Sequence, residues 1–222
     1  MIRLSRVCKR YAGGHEALRD LDLHIREGEL VFLTGHSGAG KTTLLKLLAL
    51  MERPTRGQIY VNQVNLNKLG ARKIPSYRRQ LGIVFQDHRL LYDRTVLENV
   101  AMPLLIRGEL GDHEVSKRAR AALDKVGLLD REKLKPIHLS TGEQQRVGVA
   151  RAVVHKPPVL LADEPTGNLD PDLSAEVMNL FVEFNRVGTT VLIASHDLSL
   201  IRTMGRKIIS LEKGKWVRSD DS

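Results

Sequence analysis

The chain has 222 residues, a formal net charge of +9 and a single cysteine, Cys8. That length suits one large α/β domain or a core with a small appendage, and one cysteine excludes an internal disulfide. No apolar run approaches the ~18 residues needed to span a bilayer, and the N-terminus starts without a basic-then-apolar leader, so a cytoplasmic protein is expected. The positive balance suits an anionic partner: nucleic acid, acidic lipid headgroups or an acidic protein face. The basic clusters, Lys68-Arg72-Lys73-Arg78-Arg79 and Lys117-Arg118-Arg120, interleave with few aromatics. A base-stacking surface is therefore not expected, and surface or membrane-proximal charge is favoured over nucleic-acid binding.

Taken in order, residues 2–27 alternate at Ile2-Leu4 and Leu21-Leu23-Ile25 around Gly13-Gly14, which predicts antiparallel strands joined by a loop. Tyr11 precedes the glycines; its pattern fits a partly buried loop residue as well as one that stacks on a base. Leu30-Val31-Phe32-Leu33 predicts a buried strand, and it runs into Gly35-His36-Ser37-Gly38-Ala39-Gly40-Lys41-Thr42. That stretch matches G-x-x-x-x-G-K-[ST] at every fixed position, a match expected by chance in about one chain in a hundred of this length. Glycines let backbone N–H groups turn around a polyphosphate, and the helix that follows points its positive end at the same anion. Lys41 would reach the β- and γ-phosphates, and the Thr42 hydroxyl would ligate Mg²⁺. The helix itself, Leu44 to Met51, is apolar on nearly every face, which predicts burial; Pro54 and Gly57 end it.

Ile59-Tyr60-Val61 predicts another strand, and Gly82-Ile83-Val84-Phe85 a further one that delivers Gln86-Asp87 at its end. Gln86 could reach a nucleotide-bound metal or water, or simply cap the loop. Thr95-Val96-Leu97-Glu98 fits a capping box that opens a helix, which Pro103 is expected to kink or stop. Gly108 to Asp112 reads as a turn, and Val115, Ala119, Ala122, Leu123 and Val126 recur at helical spacing. With no convincing strand between 88 and 150, an all-helical insert is expected there. Ser140-Thr141-Gly142-Glu143 opens another helix with the same box.

Val159-Leu160-Leu161-Ala162 and Val191-Leu192-Ile193-Ala194 are continuous apolar runs, as central parallel strands require. The first delivers Asp163-Glu164 before Pro165, and the second Ser195-His196-Asp197. An Asp-Glu pair here could cap a strand. Beside a phosphate loop, Asp163 also supplies the second Mg²⁺ carboxylate and Glu164 a base for the attacking water. His196, at the neighbouring strand end, is either structural or a donor to the γ-phosphate. Asn168-Leu169-Asp170 reads as a polar turn, Leu173 to Phe184 as a helix stopped by Gly188, and Ile208 to Val217 as a hairpin around Gly214.

In this order the motifs resemble an ATP-binding-cassette (ABC) ATPase domain over about residues 2–217. The resemblance rests on the phosphate loop, Gln86, the signature Leu139-Ser140-Thr141-Gly142-Glu143-Gln144-Gln145, Asp163-Glu164, the Asn168–Asp170 turn and His196. It implies an α/β P-loop NTPase fold, a RecA-like core carrying an antiparallel β subdomain and an inserted helical subdomain at about 88–150. The expected activity is Mg²⁺-dependent ATP hydrolysis. Glu164, His196 and Gln86 are the implied catalytic residues, with Thr42, Gln86 and Asp163 at the metal. Tyr11, Gly35 to Thr43, and Ser140, Gly142 and Glu143 are the implied nucleotide-binding residues. The last three would act on ATP held by a second copy, with Asp170 at the dimer interface.

Within the family, the phosphate loop and Phe85 to Val96 resemble the cell-division branch; lipoprotein-release and macrolide-efflux ATPases have similar loops. The implied partners are an integral membrane, permease-like subunit and other cell-division proteins, at the cytoplasmic face of the inner membrane. A soluble nucleic-acid factor is the rival, but such factors carry two cassettes or a long insertion. One departure stands out. Thr141 occupies a position where the family usually carries glycine, and a β-branched residue there would resist a left-handed backbone.

Overall fold

The computed structural model describes residues 1–167 and 169–220. Its centre is β3, Leu30–Thr34, buried along its whole length. A strand reads as continuously apolar only when both faces are covered, and β3 meets that condition. Val31 and Leu33 join one apolar cluster, while Leu30 and Phe32 join another on the opposite face.

The flanking strands are β6 (Leu81–Val84), β7 (Val159–Asp163), β8 (Thr190–Ala194), β9 (Lys207–Glu212) and β10 (Lys215–Asp220). They form a six-stranded sheet in the order β10-β9-β3-β8-β7-β6, parallel from β9 to β6 and closed by the antiparallel β9–β10 hairpin. A second sheet, order β2-β1-β4-β5, is antiparallel. It is built from β1 (Ile2–Arg10), β2 (Glu16–Ile25), β4 (Arg56–Val61) and the short β5 (Val64–Asn65).

Helix α1, Lys41–Leu48, lies between the two sheets. Leu44, Leu45, Leu47 and Leu48 pack on Val31, Leu33 and Leu161 from one sheet and on Ile2, Leu4 and Ile59 from the other. It ends at Leu48, three residues short of the apolar run read from the sequence, with Ala49 as cap. A five-residue helix, α2 (Ile74–Arg78), is anchored on the end of α1: the Tyr77 hydroxyl donates to the Leu48 carbonyl, and Arg78 to the carbonyls of Ala49 and Leu50.

Between β6 and β7 the described residues are helical or loop. Helix α3, Val96–Arg107, opens with the expected capping box, Thr95 with Glu98. Pro103 does not stop it. The helix continues one more turn to Arg107 because only the bond that the missing N–H would have made is lost, while Val100, Ala101 and Leu104 stay buried. Helices α4 (Asp112–Lys125) and α5 (Thr141–Val153) complete a separate apolar cluster running from Leu90 to Val154. The far half of α5 also reaches the main sheet, through Val149, Ala152 and Val153, which pack with Leu160 and Phe181. The last helices are α6, Pro171–Arg186, and the short α7, Leu198–Thr203.

Candidate functional site

Strand order decides the site. With β3, β8, β7 and β6 adjacent, the carboxyl ends that carry Gly35, His196, Asp163-Glu164 and Gln86 emerge side by side on one sheet edge. Between them lies a cavity of about 1000 Å³ lined by Tyr11, by every residue from Gly35 to Thr43, and by Gln86, Glu164 and His196. Asp163 lines an adjoining cavity of about 450 Å³ that shares Thr42 and Gln86.

The loop needs its glycines for two reasons. Gly35 (φ 146°) and Gly40 (φ 108°) have left-handed backbone. A Cβ on Gly35 would also run into the Leu211 carbonyl, and one on Gly40 would sit 2.6 Å from the Ala17 carbonyl. The loop is thus pressed between β2 and the C-terminal hairpin, whose turn is tied back by Gly214 N–H to Ala39 O at 3.1 Å and Arg19 N–H to Gly214 O at 2.8 Å. Sequence reading finds the loop but misses this buttress, because nothing local links Ala17 or Gly214 to residue 40.

Lys41 is 8 % exposed. Its ammonium donates to the Gly35 carbonyl at 2.7 Å and lies 3.6 Å from Glu164 Oε1. The other Glu164 oxygen is 2.7 Å from His196 Nδ1. Glu164 adopts φ 48° while its N–H donates to the Ala194 carbonyl at 2.9 Å, so β8 fixes its backbone while Lys41 and His196 hold its carboxylate. A left-handed non-glycine residue costs of order 1–3 kcal/mol and persists where its surroundings over-determine it. The pairing of His196 with Glu164 is a feature that the separate strand-end readings did not contain.

The Thr42 hydroxyl donates to Asp163 Oδ1 at 3.1 Å. Burial pushes the Asp163 carboxyl up, opposed by that hydrogen bond and raised further by the neighbouring Glu164 charge. A partly desolvated carboxylate beside a hydroxyl is a hard-oxygen pair that gains from a divalent cation. Among the described residues no group of three or more His, Cys, Asp or Glu forms a closed metal cage. A hydroxyl and a carboxylate are hard-oxygen donors of the kind that Mg²⁺ takes, its remaining ligands being waters and phosphate oxygens.

Tyr11 lies at the cavity rim, its hydroxyl 3.3 Å from Thr43 Oγ1 and one ring face covered by Lys9 Nζ at 5.0 Å from the centroid. Ser140, Gly142 and Glu143 do not line this cavity. They form the start of α5, where Ser140 accepts from Glu143 N–H, and Glu143 accepts from Ser140 N–H at 2.8 Å and from its hydroxyl at 2.9 Å. Glu143 is engaged in this cap, and the hydrogen bonds from the Ser140 N–H and then its hydroxyl hold the Glu143 carboxyl below its usual range. A Cβ on Gly142 would collide with the Leu173 side chain of α6, so glycine there serves packing between helices. Thr141 is the first residue of α5 and is absent from the left-handed positions, so the concern over a β-branched residue does not apply. Asp170 caps α6, accepting from Leu173 N–H; Asn168 of the same expected turn lies outside the described residues.

Residues 18–167 match the family described as ABC transporter. The chain is 56% identical over 214 residues to the cell division ATP-binding protein FtsE of Escherichia coli K12, covering 96% of each. It is 44% identical to the protein of the same name from Bacillus subtilis, covering 99% of this chain and 96% of the relative. A dimeric ATP-binding cassette in a post-hydrolysis state, bound to ADP and Pi, superposes with a TM-score of 0.92 at 37% identity, covering 99% of this chain and 98% of that one.

Proposed function

The chain belongs to the ABC transporter family and is an ATPase of it, and from that premise we propose that it is the ATP-hydrolysing subunit of a membrane complex acting in cell division. The observation that carries the chemical part is Glu164 held between Lys41 and His196 at the mouth of the phosphate loop. In this reading the loop N–H groups and Lys41 bind the β- and γ-phosphates, and Tyr11 stacks on the adenine. Mg²⁺, when bound, offsets phosphate charge; Thr42 and Asp163 hold it, with Gln86 beside them.

Glu164 takes a proton from the water that attacks the γ-phosphorus, as the bond from that phosphorus to the β-bridging oxygen breaks and ADP leaves. His196 holds the Glu164 carboxylate and keeps its second ring nitrogen for the γ-phosphate. Ser140 and Gly142, remote from their own chain's loop, contribute the helix N-terminus of α5 to the ATP of a second copy. The site is then complete only in a dimer sandwiching two ATP molecules, with Asp170 between the copies and residues 88–150 acting as an inserted helical unit.

The finer assignment follows the relatives named FtsE: an FtsX-like, permease-like integral membrane subunit docks at the loop from Gln86 to Thr95. The protein then sits peripherally at the cytoplasmic face of the inner membrane. None of the described helices is long and apolar enough to cross a membrane, which fits a subunit tethered by its partner. Glu164→Gln is the test of the chemistry: turnover should fall at least about 100-fold while ATP binding persists and the ATP-bound dimer accumulates. Equal turnover in the two proteins refutes Glu164 as the base. For the partner, substitution of Asp87 or Arg94 should weaken co-purification with the membrane subunit, and unchanged association removes that loop from the interface.

A further inference from the structure

Between Arg53 and Gln86 the sequence contains seven basic residues and no Asp or Glu, so this one stretch carries most of the +9 net charge. The structure divides those cations into two sets. Arg53, Arg56 and Arg78 are engaged: Arg53 donates to the carbonyls of Leu66 and Leu69, Arg56 pairs with Asp20, and Arg78 bonds Ala49 and Leu50. Lys68, Arg72, Lys73 and Arg79 are exposed and form no ion pair among the described residues. Lys68, Arg72 and Lys73 stand on the short helical turns from Leu66 to Arg78 and Arg79 caps the last of them; Tyr77 and Arg78 pin that last turn to the end of α1 and the two residues after it. The unpaired charges are therefore presented from a fixed platform.

We propose that this platform, with Lys68, Arg72, Lys73 and Arg79, rests against an anionic phospholipid surface. Three observations favour that occupant. The four cations line neither of the two cavities described above, so they face outward as a charged surface rather than into either cavity. Tyr77 is buried, so no exposed aromatic in the platform can stack a base. And the platform adjoins the proposed docking loop: Arg78 holds Ala49, which with Met51 lines the cavity shared by Gln86, Asp87 and Arg89. A face that meets an integral membrane protein also meets the headgroups around it. This last point rests on the functional reading above; the first two do not.

Each basic residue near an anionic leaflet strengthens binding by about 5-fold at moderate salt. The test is flotation of the purified full chain, without its membrane partner, with vesicles of equal phosphatidylglycerol and phosphatidylcholine and with pure phosphatidylcholine vesicles. Binding is expected only to the anionic vesicles, to weaken as salt is raised, and to drop about 25-fold in the Arg72→Gln/Lys73→Gln variant. Basal ATPase activity and thermal unfolding should stay unchanged in that variant, and Lys68→Gln/Arg79→Gln gives an independent second pair.

Equal binding to both vesicle types, or wild-type binding by both double variants, overturns the proposal. Unchanged vesicle binding with loss of membrane-subunit co-purification also overturns it, in favour of an acidic protein face. Displacement of vesicles by a random oligonucleotide at lower concentration than by soluble phosphatidylglycerol overturns it in favour of nucleic acid. Because vesicle binding is read without the partner, failure of the docking-loop reading leaves a distinct signature: the unsubstituted chain still binds anionic vesicles, while Asp87 and Arg94 variants co-purify with the membrane subunit as before.

Discussion

Arg151 offers the sharpest test of how the two halves of the site communicate. It lies near the end of α5, the helix whose start carries Ser140 and Gly142. Its guanidinium donates to the Arg89 carbonyl at 2.7 Å and to the His88 carbonyl at 2.6 Å. No carboxylate pairs with it among the described residues, and burial pulls its pKa down. Both residues that it grips are left-handed, His88 at φ 55° and Arg89 at φ 48°, and they follow Gln86 by two and three positions.

Hydrogen bonds to a charged donor contribute about 1.5–3 kcal/mol each, part of which offsets desolvating the guanidinium. A net loss of about 2 kcal/mol on Arg151→Met corresponds to roughly a 30-fold fall in the equilibrium ratio of gripped to released loop. Because the phosphate loop is untouched, ATP affinity of the single chain should change by less than about 2-fold, while turnover falls by about 10- to 30-fold. Arg151→Lys, able to keep one of the two bonds, should recover part of it. The assay pairs nucleotide binding by fluorescence with steady-state ATPase rates. Turnover within about 2-fold of wild type refutes the argument, as does an equal loss of ATP affinity.

His155 is buried, and neither ring nitrogen makes a well-formed hydrogen bond, although the Leu81 backbone is close. Burial, reinforced by the Arg107 charge, lowers its pKa from 6.5 to about 4. The unfolded chain therefore takes up the proton first as pH falls, and stability should drop between those two values by up to about 3 kcal/mol, then level off. Urea unfolding of His155→Leu should lack that component; superimposable pH profiles would count against it. Thr141→Gly should leave ATPase activity and dimer formation within about 2-fold of wild type, since the backbone there is ordinary helix, and a large gain in either would reverse that conclusion. Gly40→Ala should abolish ATP binding measured by filter retention, because the added Cβ meets the Ala17 carbonyl in a left-handed backbone. Retained binding would show that the loop is looser than its packing implies.

The phosphate loop, the buried strands and both capping boxes were legible in the sequence because each depends on neighbours within a few residues. Four fixed positions define the loop, period and apolar length define the strands, and Thr95–Glu98 and Ser140–Glu143 satisfy their helix starts locally. Pro103 does not stop α3, one of the two outcomes expected for it, because local propensity ignores Val100 and Leu104, whose burial outweighs one lost hydrogen bond. Tertiary structure alone decided what stands beside what. The order β3-β8-β7-β6 brings four strand ends together, and Ala17, Leu211 and Gly214 press the phosphate loop into shape from segments far along the chain. The same packing closes Glu164 between Lys41 and His196 and ties Arg151 to the Gln86 loop. Residue type and spacing specify which groups can do chemistry; only the long-range strand pairing and packing specify which of them meet.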